Sequence, residues 1–320
     1  MEGSDFGVVI DIRKDNNADV ILEKLMMLDY KLLAALTAVI EQGGFERAAL
    51  SLGLSQSAIS QRIKLLESRL GSPVLVRVSP PQATAAGQRL LNHVQQVRLL
   101  ERDLRSDLPE IDTQGSMSRL RIALNADSLA TWWAEAVSGW CSAERVLLDM
   151  QVEDQDVGLR RMRNGEVAAC VCATEQPVAG ARSLLLGQMP YLAVASRVFI
   201  DRHFPAGVVP ARLPGLPAVV FGPDDQLQHR FMQQLGLPGE FEYHLCPSSE
   251  GFVRMLSAGV GWGMVPAMQV AGELRRGELS ELVPGQAQSV SLYWHYWRNG
   301  GQLLAGLTSE LARKVPALLG

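Results

Sequence analysis

Residues 45–70, "FERAALSLGLSQSAISQRIKLLESRL", narrow the possible folds of this chain more than any other stretch. Two apolar-periodic segments, 45–52 and 55–70, are separated by Gly53-Leu54 alone. A helix that stops at glycine and restarts two residues later must turn sharply, and glycine adopts the left-handed conformation that closes a helix. Ala49 is small where the two helices would touch, Gly53 follows four residues later, and Ile59 six after that. This spacing predicts a helix-turn-helix. On the second helix Ile59, Ile63, Leu66 and Leu70 fall in a narrow arc at ~100° per residue and are expected to face inward. Ser57, Gln61 and Lys64 then face outward, with Ser60 beside them and Gln56 at the exposed N-terminal end.

Those outward side chains suit a DNA major groove. Gln pairs with adenine, Ser reads base or phosphate, and Arg and Lys reach guanine or phosphate. The N-terminal residues of a recognition helix are the ones that approach base edges. After the helix, "GSPVLVRVSPPQATAAG" alternates like a strand between Pro73 and Pro80-Pro81, which predicts a two-stranded hairpin, or wing, carrying Arg77. The same polar types occur on any solvated helix face. Turn, spacing and wing occur together, however, and residues 45–89 hold six basic groups against two acidic ones, so DNA is the favoured partner. The candidate DNA contacts are Gln56, Ser57, Ser60, Gln61, Arg62, Lys64 and Arg77.

On either side of this segment the pattern remains helical. Asp29 is placed to cap a helix whose apolar face is Leu32, Leu33, Leu36, Val39 and Ile40, ending at Gly43-Gly44. Thr84 is placed to cap a long helix with a near-heptad stripe of Leu90, Val94, Val97, Leu100 and Leu104. That stripe suits pairing with its copy in a second subunit, and packing on its own domain is an equal alternative. Residues 1–26 are acidic and without clear period, and read as a loosely ordered leader. Residues 109–118, "PEIDTQGSMS", read as a hinge. Beyond it strands and helices alternate, which implies mostly parallel sheets with helices on both faces.

Composition excludes several classes. With 47% hydrophobic and 20% charged residues the chain is globular. No apolar run approaches the ~18 residues of a membrane span and no signal pattern opens the chain, so a cytoplasmic location without membrane contact is expected. The overall charge of −4 conceals a split: residues 27–108 carry ten Lys and Arg against seven Asp and Glu, residues 109–320 seventeen against twenty-one. Cys170 and Cys172, in "EVAACVCA", are spaced C-x-C without an accompanying histidine cluster, and read as buried thiols rather than a metal site. The five histidines are scattered, and neither a G-x-S-x-G elbow nor a Walker or dinucleotide glycine loop is present, so no enzyme is expected.

"SQSAISQRIK", followed by "TAAG", resembles the N-terminal domain of LysR-type transcriptional regulators. "LNADSLATWW" (124–133), "MQVEDQ" (150–155), "MRNGEV" (162–167), "SSE" (248–250) and "LYWH" (292–295) narrow the resemblance to the ArgP/IciA (LysG-like) subgroup, which responds to basic amino acids. The likeness runs from Met27 to about Arg298 and leaves out the leader and the "YWRNGGQ" tail. It implies an α/β protein with a winged helix-turn-helix (27–83), a dimerising linker helix (84–108) and a two-lobed, doubly wound α/β effector domain (119–320) resembling periplasmic binding proteins, with crossovers near Ala195 and Ser289. The implied protein carries no cofactor, binds lysine or arginine as effector, reads interrupted inverted repeats in double-stranded DNA, forms a homodimer or homotetramer, and can contact RNA polymerase. The alternative is a nucleoid-type DNA-binding protein or replication-initiation inhibitor with incidental ligand binding.

In such lobes ligands sit beyond the C-terminal ends of strands, at helix N-termini. Ser128, Thr131, Ser248 and Ser249 are placed to cap helices there and to hold a ligand carboxylate, although capping alone would also explain them. Asp127, Glu153, Asp154 and Glu250 gather at the same strand ends, where a cationic ligand needs a carboxylate; each is equally compatible with a solvated loop.

Overall fold

The computed structural model of the chain describes residues 28–107, 118–153, 157–164 and 166–319. The expected leader, and the expected hinge apart from Ser118, lie outside them. The chain divides into two compact units between Val94 and Gln95, each described here by itself.

The first unit contains α1 (Tyr30–Glu41), α2 (Phe45–Leu52), α3 (Gln56–Leu70), β1 (Leu75–Val76), β2 (Gln82–Ala83) and the first part of α4 (Ala85–Asp107). Its local signals act as read from the sequence. The Asp29 side chain accepts from the Lys31 N–H at 2.8 Å and Gly53 is left-handed at φ 62°; Ser55, expected as the first residue of the third helix, instead caps α3 by accepting from the Ala58 N–H at 3.2 Å. Leu33, Leu36, Val39, Ala48, Ile59 and Ile63 are buried in one core. Each fully buried Leu or Ile contributes roughly 1.5–3 kcal/mol, which locks α3 against its neighbours. Leu70, expected inward, is instead exposed: the left-handed Gly71 ends the helix there and nothing covers that last position.

β1 and β2 form the antiparallel wing. Thr84 ties it to α4, its hydroxyl donating to the Pro73 carbonyl at 2.7 Å and accepting from the Gly87 N–H at 3.1 Å. Gly87 is obligatory for this junction, since a Cβ there would lie 2.0 Å from the Val74 carbonyl oxygen. The apolar stripe of α4 divides. Leu91 and Val94 are buried in the core of the first unit, Leu90 and Val97 are half-buried, and Leu100 and Leu104 are exposed. Packing on its own domain therefore accounts for the first turns only.

The second unit is built on a seven-stranded mixed sheet. β3 (Ser118–Asn125) pairs in parallel with β4 (Val146–Glu153) and β5 (Ala169–Cys172). β6 (Ala181–Ser196) is long, and its first eleven residues pair antiparallel with β11 (Gln288–Trp297). Its last six residues pair antiparallel with β9 (Gly263–Pro266) and β10 (Leu279–Glu281). A separate parallel pair, β7 (Ala218–Val220) and β8 (Tyr243–Leu245), joins through the Ala218–Trp262 bridge. β6 and β11 thus run between a first lobe, holding β3 to β5, and a second, holding β7 to β10. The expected mostly parallel sheet is corrected by these strands: β9, β10 and β11 all lie beside β6 antiparallel to it. Only 191–196 of β6 read as a strand, because Gly187 and Pro190 interrupt the pattern. Gly187, at φ 150°, lies at the bulge where the register with β11 shifts.

Helices cover the sheet: α5 (Ala126–Ala130), α6 (Trp133–Glu144), α7 (Val157–Asn164), α8 (Arg197–His203), α9 (Leu227–Gln234), α10 (Ser249–Ser257), α11 (Ala271–Arg276) and α12 (Gly301–Leu319). α12 packs on α6 and β6, and the indole N–H of the fully buried Trp294 reaches the Thr308 hydroxyl on α12 at 2.9 Å. Among the described residues no helix is long and apolar enough to cross a membrane.

Candidate DNA-reading face and effector cleft

In the first unit Gln56, Ser57, Gln61 and Lys64 are exposed on α3, and Ser60 and Arg62 are half-buried beside them. The fully buried Ile59 and Ile63 hold the opposite side of the same helix, so packing determines which residues are presented. Ser57 Oγ also lies 2.9 Å from the hydroxyl of the capping Ser55, which ties its side chain to the helix start. Arg77 is exposed just past β1, at the wing. All seven sequence candidates thus lie on the recognition helix or the wing of one unit.

The second unit gathers a different set at the junction of its lobes. Asp127 lies in α5, immediately after β3. Its Oδ2 accepts from the Tyr191 hydroxyl at 2.7 Å and its Oδ1 from the Ser249 hydroxyl at 2.8 Å. Tyr191 is fully buried on β6, and Ser249 opens α10 in the second lobe. Gln269 holds Ser249 in place, donating to its carbonyl at 3.1 Å and its hydroxyl at 3.0 Å. Burial, and after it the Asp127 carboxylate, push the Tyr191 phenol well above its ordinary range, so it remains a neutral donor. The Asp225 charge acts on Tyr191 in the same direction, while its carboxylate accepts the Phe221 and Leu227 N–H groups.

Beside Asp127, Asn125, Ser128 and Trp132 are buried with polar atoms that have no partner among the described residues: both amide atoms of Asn125, the Ser128 hydroxyl and the Trp132 indole N–H. Such groups are uncommon in native interiors, and three residues that carry them fall within 125–132.

Several expected roles change. Ser128 is not an N-cap; that position belongs to Asn125, and Ser128 is inside α5 and buried. Thr131 is not an N-cap either: it ends α5, donates to the Asp127 carbonyl at 2.6 Å, and leaves Trp132 at the cap of α6. The aromatic run 132–133 starts a second helix there, which the Ser128 signal obscured. Ser248 does cap α10, accepting from the Gly251 N–H at 3.1 Å. Glu250 points to solvent, with its side chain 77% exposed and paired to Arg254, so it is separated from the buried cluster. Glu153 is the last residue of β4, and Asp154 lies outside the described residues. Tyr191, Asp225 and Gln269 were not picked out from the sequence; a lone Tyr, Asp or Gln in a strand or loop gives no periodic or spacing signal.

Residues 30–88 match the model of the bacterial regulatory helix-turn-helix proteins of the lysR family, and residues 113–309 match the LysR substrate binding domain. The chain belongs to the LysR family. It is 68% identical over 291 residues to the HTH-type transcriptional regulator ArgP of Pseudomonas aeruginosa (strain UCBPP-PA14), covering 91% of this chain and 97% of that one. Among solved structures it resembles ArgP from Mycobacterium tuberculosis, with a TM-score of 0.78 and 37% identity over 91% of this chain and 98% of that one. It also resembles full-length LysG from Corynebacterium glutamicum with bound effector Arg, with a TM-score of 0.69 and 32% identity over 89% and 97% of the two chains. This LysR-family chain is therefore a DNA-binding transcriptional regulator and not an enzyme. Its winged helix-turn-helix and two-lobed α/β domain are those the family resemblance implied.

Proposed function

We propose that this regulator controls transport or metabolism of basic amino acids in response to lysine or arginine. The observation that carries the reading is Asp127, held by hydroxyls from the crossover strand and from the second lobe. A carboxylate can answer an ammonium or guanidinium group with charge-assisted hydrogen bonds. The unpartnered Asn125, Ser128 and Trp132 supply donors for the carboxylate of the same amino acid. Ser248 and Ser249 add the start of α10 from the other lobe, and Glu153 and Asp154 remain candidates for the ligand's charge from their place in the sequence after β4. Support also comes from the bound arginine of LysG.

In this reading residues 27–83 form the DNA-reading head, 84–108 the dimerising linker, 109–118 the hinge and 119–320 the effector domain. The exposed Leu100 and Leu104 are available to a second linker helix. A ligand spanning both lobes closes them, and closure shifts the linker-paired dimers within a tetramer, changing DNA bending and contact with RNA polymerase. Symmetric dimers read an interrupted inverted repeat. Calorimetry of the full chain with arginine, lysine and a neutral amino acid tests the effector assignment. Heat from the basic pair alone is the expected result, and no heat from either basic amino acid would sink it. Gel shifts on the promoter beside its own gene, with each amino acid added, test the coupling to DNA.

A further inference from the structure

The Ser249 hydroxyl stands between two acceptors. Its Oγ lies 2.8 Å from Asp127 Oδ1 and 3.2 Å from Gln269 Oε1, with Gln269 Nε2 at 3.0 Å. A serine hydroxyl carries one proton and accepts through its lone pairs, so one acceptor holds that proton at full strength. The Asp127 carboxylate is both the charged acceptor and the nearer one, and takes it. The backbone fixes the other end of the contact. The Ser249 carbonyl oxygen only accepts, so the end of the Gln269 amide that lies 3.1 Å from it is the nitrogen. That amide group donates one hydrogen to the Ser249 carbonyl and the other to Ser249 Oγ. With a donor on its lone pair, the hydroxyl turns its own proton away from Gln269 and onto Asp127.

Gln269 is held in turn from its own side. It follows β9 in a turn where its N–H donates to the Pro266 carbonyl at 3.0 Å and the Ala267 N–H donates to the Pro190 carbonyl at 2.8 Å. Its neighbour Val270 is fully buried in one core with Phe252 and Leu256 of α10. β9 sets Pro266 opposite Tyr191 on β6. Tyr191 and Gln269 reach the Asp127–Ser249 contact from its two ends, and both are fixed to the same piece of sheet.

We propose that Gln269 is a positioning residue for the effector: it directs the Ser249 proton onto Asp127, so that the second lobe holds the first-lobe carboxylate ready for a cationic group. This rests on the reading of Asp127 as the partner of the effector's ammonium or guanidinium. Gln269 acts through Ser249. The two oxygens of a carboxylate offer about four lone-pair sites, so the donors from Tyr191 and Ser249 do not saturate Asp127. A carboxylate already set in position lowers the ordering cost of binding. The same bond joins the cation site of one lobe to the first turn of α10 in the other, so occupation of that site is felt in both lobes.

Three variants of the full chain test the role. Ser249→Ala removes the hydroxyl and Gln269→Leu removes the amide that aims it. Each is expected to weaken arginine binding about tenfold in calorimetry, the lower end of what a hydrogen bond to a charged group is worth. The double variant is expected to bind as Ser249→Ala does, because Gln269 acts through that hydroxyl. Gln269→Glu keeps the shape but replaces the donor with an acceptor that draws the Ser249 proton off Asp127. Hydrogen exchange without amino acid should then be faster at 249–257 in Gln269→Glu and Gln269→Leu alike, which packing alone would not produce in the isosteric variant. Additive losses in the double variant, or single variants that bind arginine as the wild type does, overturn the proposal. If the wild-type chain binds neither arginine nor lysine, the effector reading falls by itself. Exchange at 249–257 then decides the positioning role, which an unchanged rate in Gln269→Glu removes.

Discussion

The candidate DNA-reading face and the candidate effector cleft are built in opposite ways. The candidates on the recognition helix lie within nine consecutive residues, 56–64, and one buried arc, Ile59 and Ile63, orients all of them. The cleft joins Asp127 to partners 64 and 122 residues away, and no single helix orients them. A face made by one helix depends on that helix staying packed. A cleft made by two lobes depends on side chains meeting across a junction, and so it can respond to a ligand.

The comparison can be broken most forcefully in the core of the head. Ile63→Ala removes a fully buried side chain and is expected to destabilise the first unit by about 2–5 kcal/mol. Thermal unfolding should show the loss, and DNA binding should fall while arginine binding by the second unit persists. Loss of both together would mean that the units are not independent. Next in size, Asp127→Asn should weaken binding of the basic amino acid by roughly 1.5–3 kcal/mol, the worth of a hydrogen bond to a charged group. Calorimetry checks it, and unchanged affinity would remove Asp127 from the site. Gln61→Ala should weaken binding to the specific DNA by about 1–3 kcal/mol and leave amino-acid binding intact. If gel shifts detect no change, the polar run on α3 is only a wet surface. The smallest effect belongs to Glu250→Ala, which breaks an exposed pair with Arg254 and should alter stability and effector affinity by less than about 0.5 kcal/mol. A large loss of arginine affinity would bring Glu250 back into the cleft.

How far each region was legible follows from the range of its signals. Asp29, Gly53 and Thr84 act on groups within a few residues, and each does in the structure what its position in the chain implied. Leu70 shows the limit of the same reasoning, because periodicity marks a direction but not whether anything lies there to cover it. In the second unit the polar stretch 125–131 follows β3 as expected, but Ser128 and Thr131 do not cap a helix there. Ser128 looks like a cap in sequence, yet Asn125 starts the helix and Ser128 is buried without a protein partner. Tyr191 and Gln269 had no local signature, since their function lies in which carboxylate or hydroxyl they meet.

The sequence by itself determined the helix-turn-helix, the wing, the residues presented on α3 and the presence of an α/β second half, because caps, glycine turns and apolar periods are decided over a few bonds. Tertiary structure alone decided the antiparallel strands that join the lobes, the Asp127–Tyr191–Ser249 junction and the burial of His295 opposite Cys170. Strand order and cross-lobe contacts depend on how distant segments share one sheet, and the energy that selects them is spread over the whole core, beyond the reach of any local pattern.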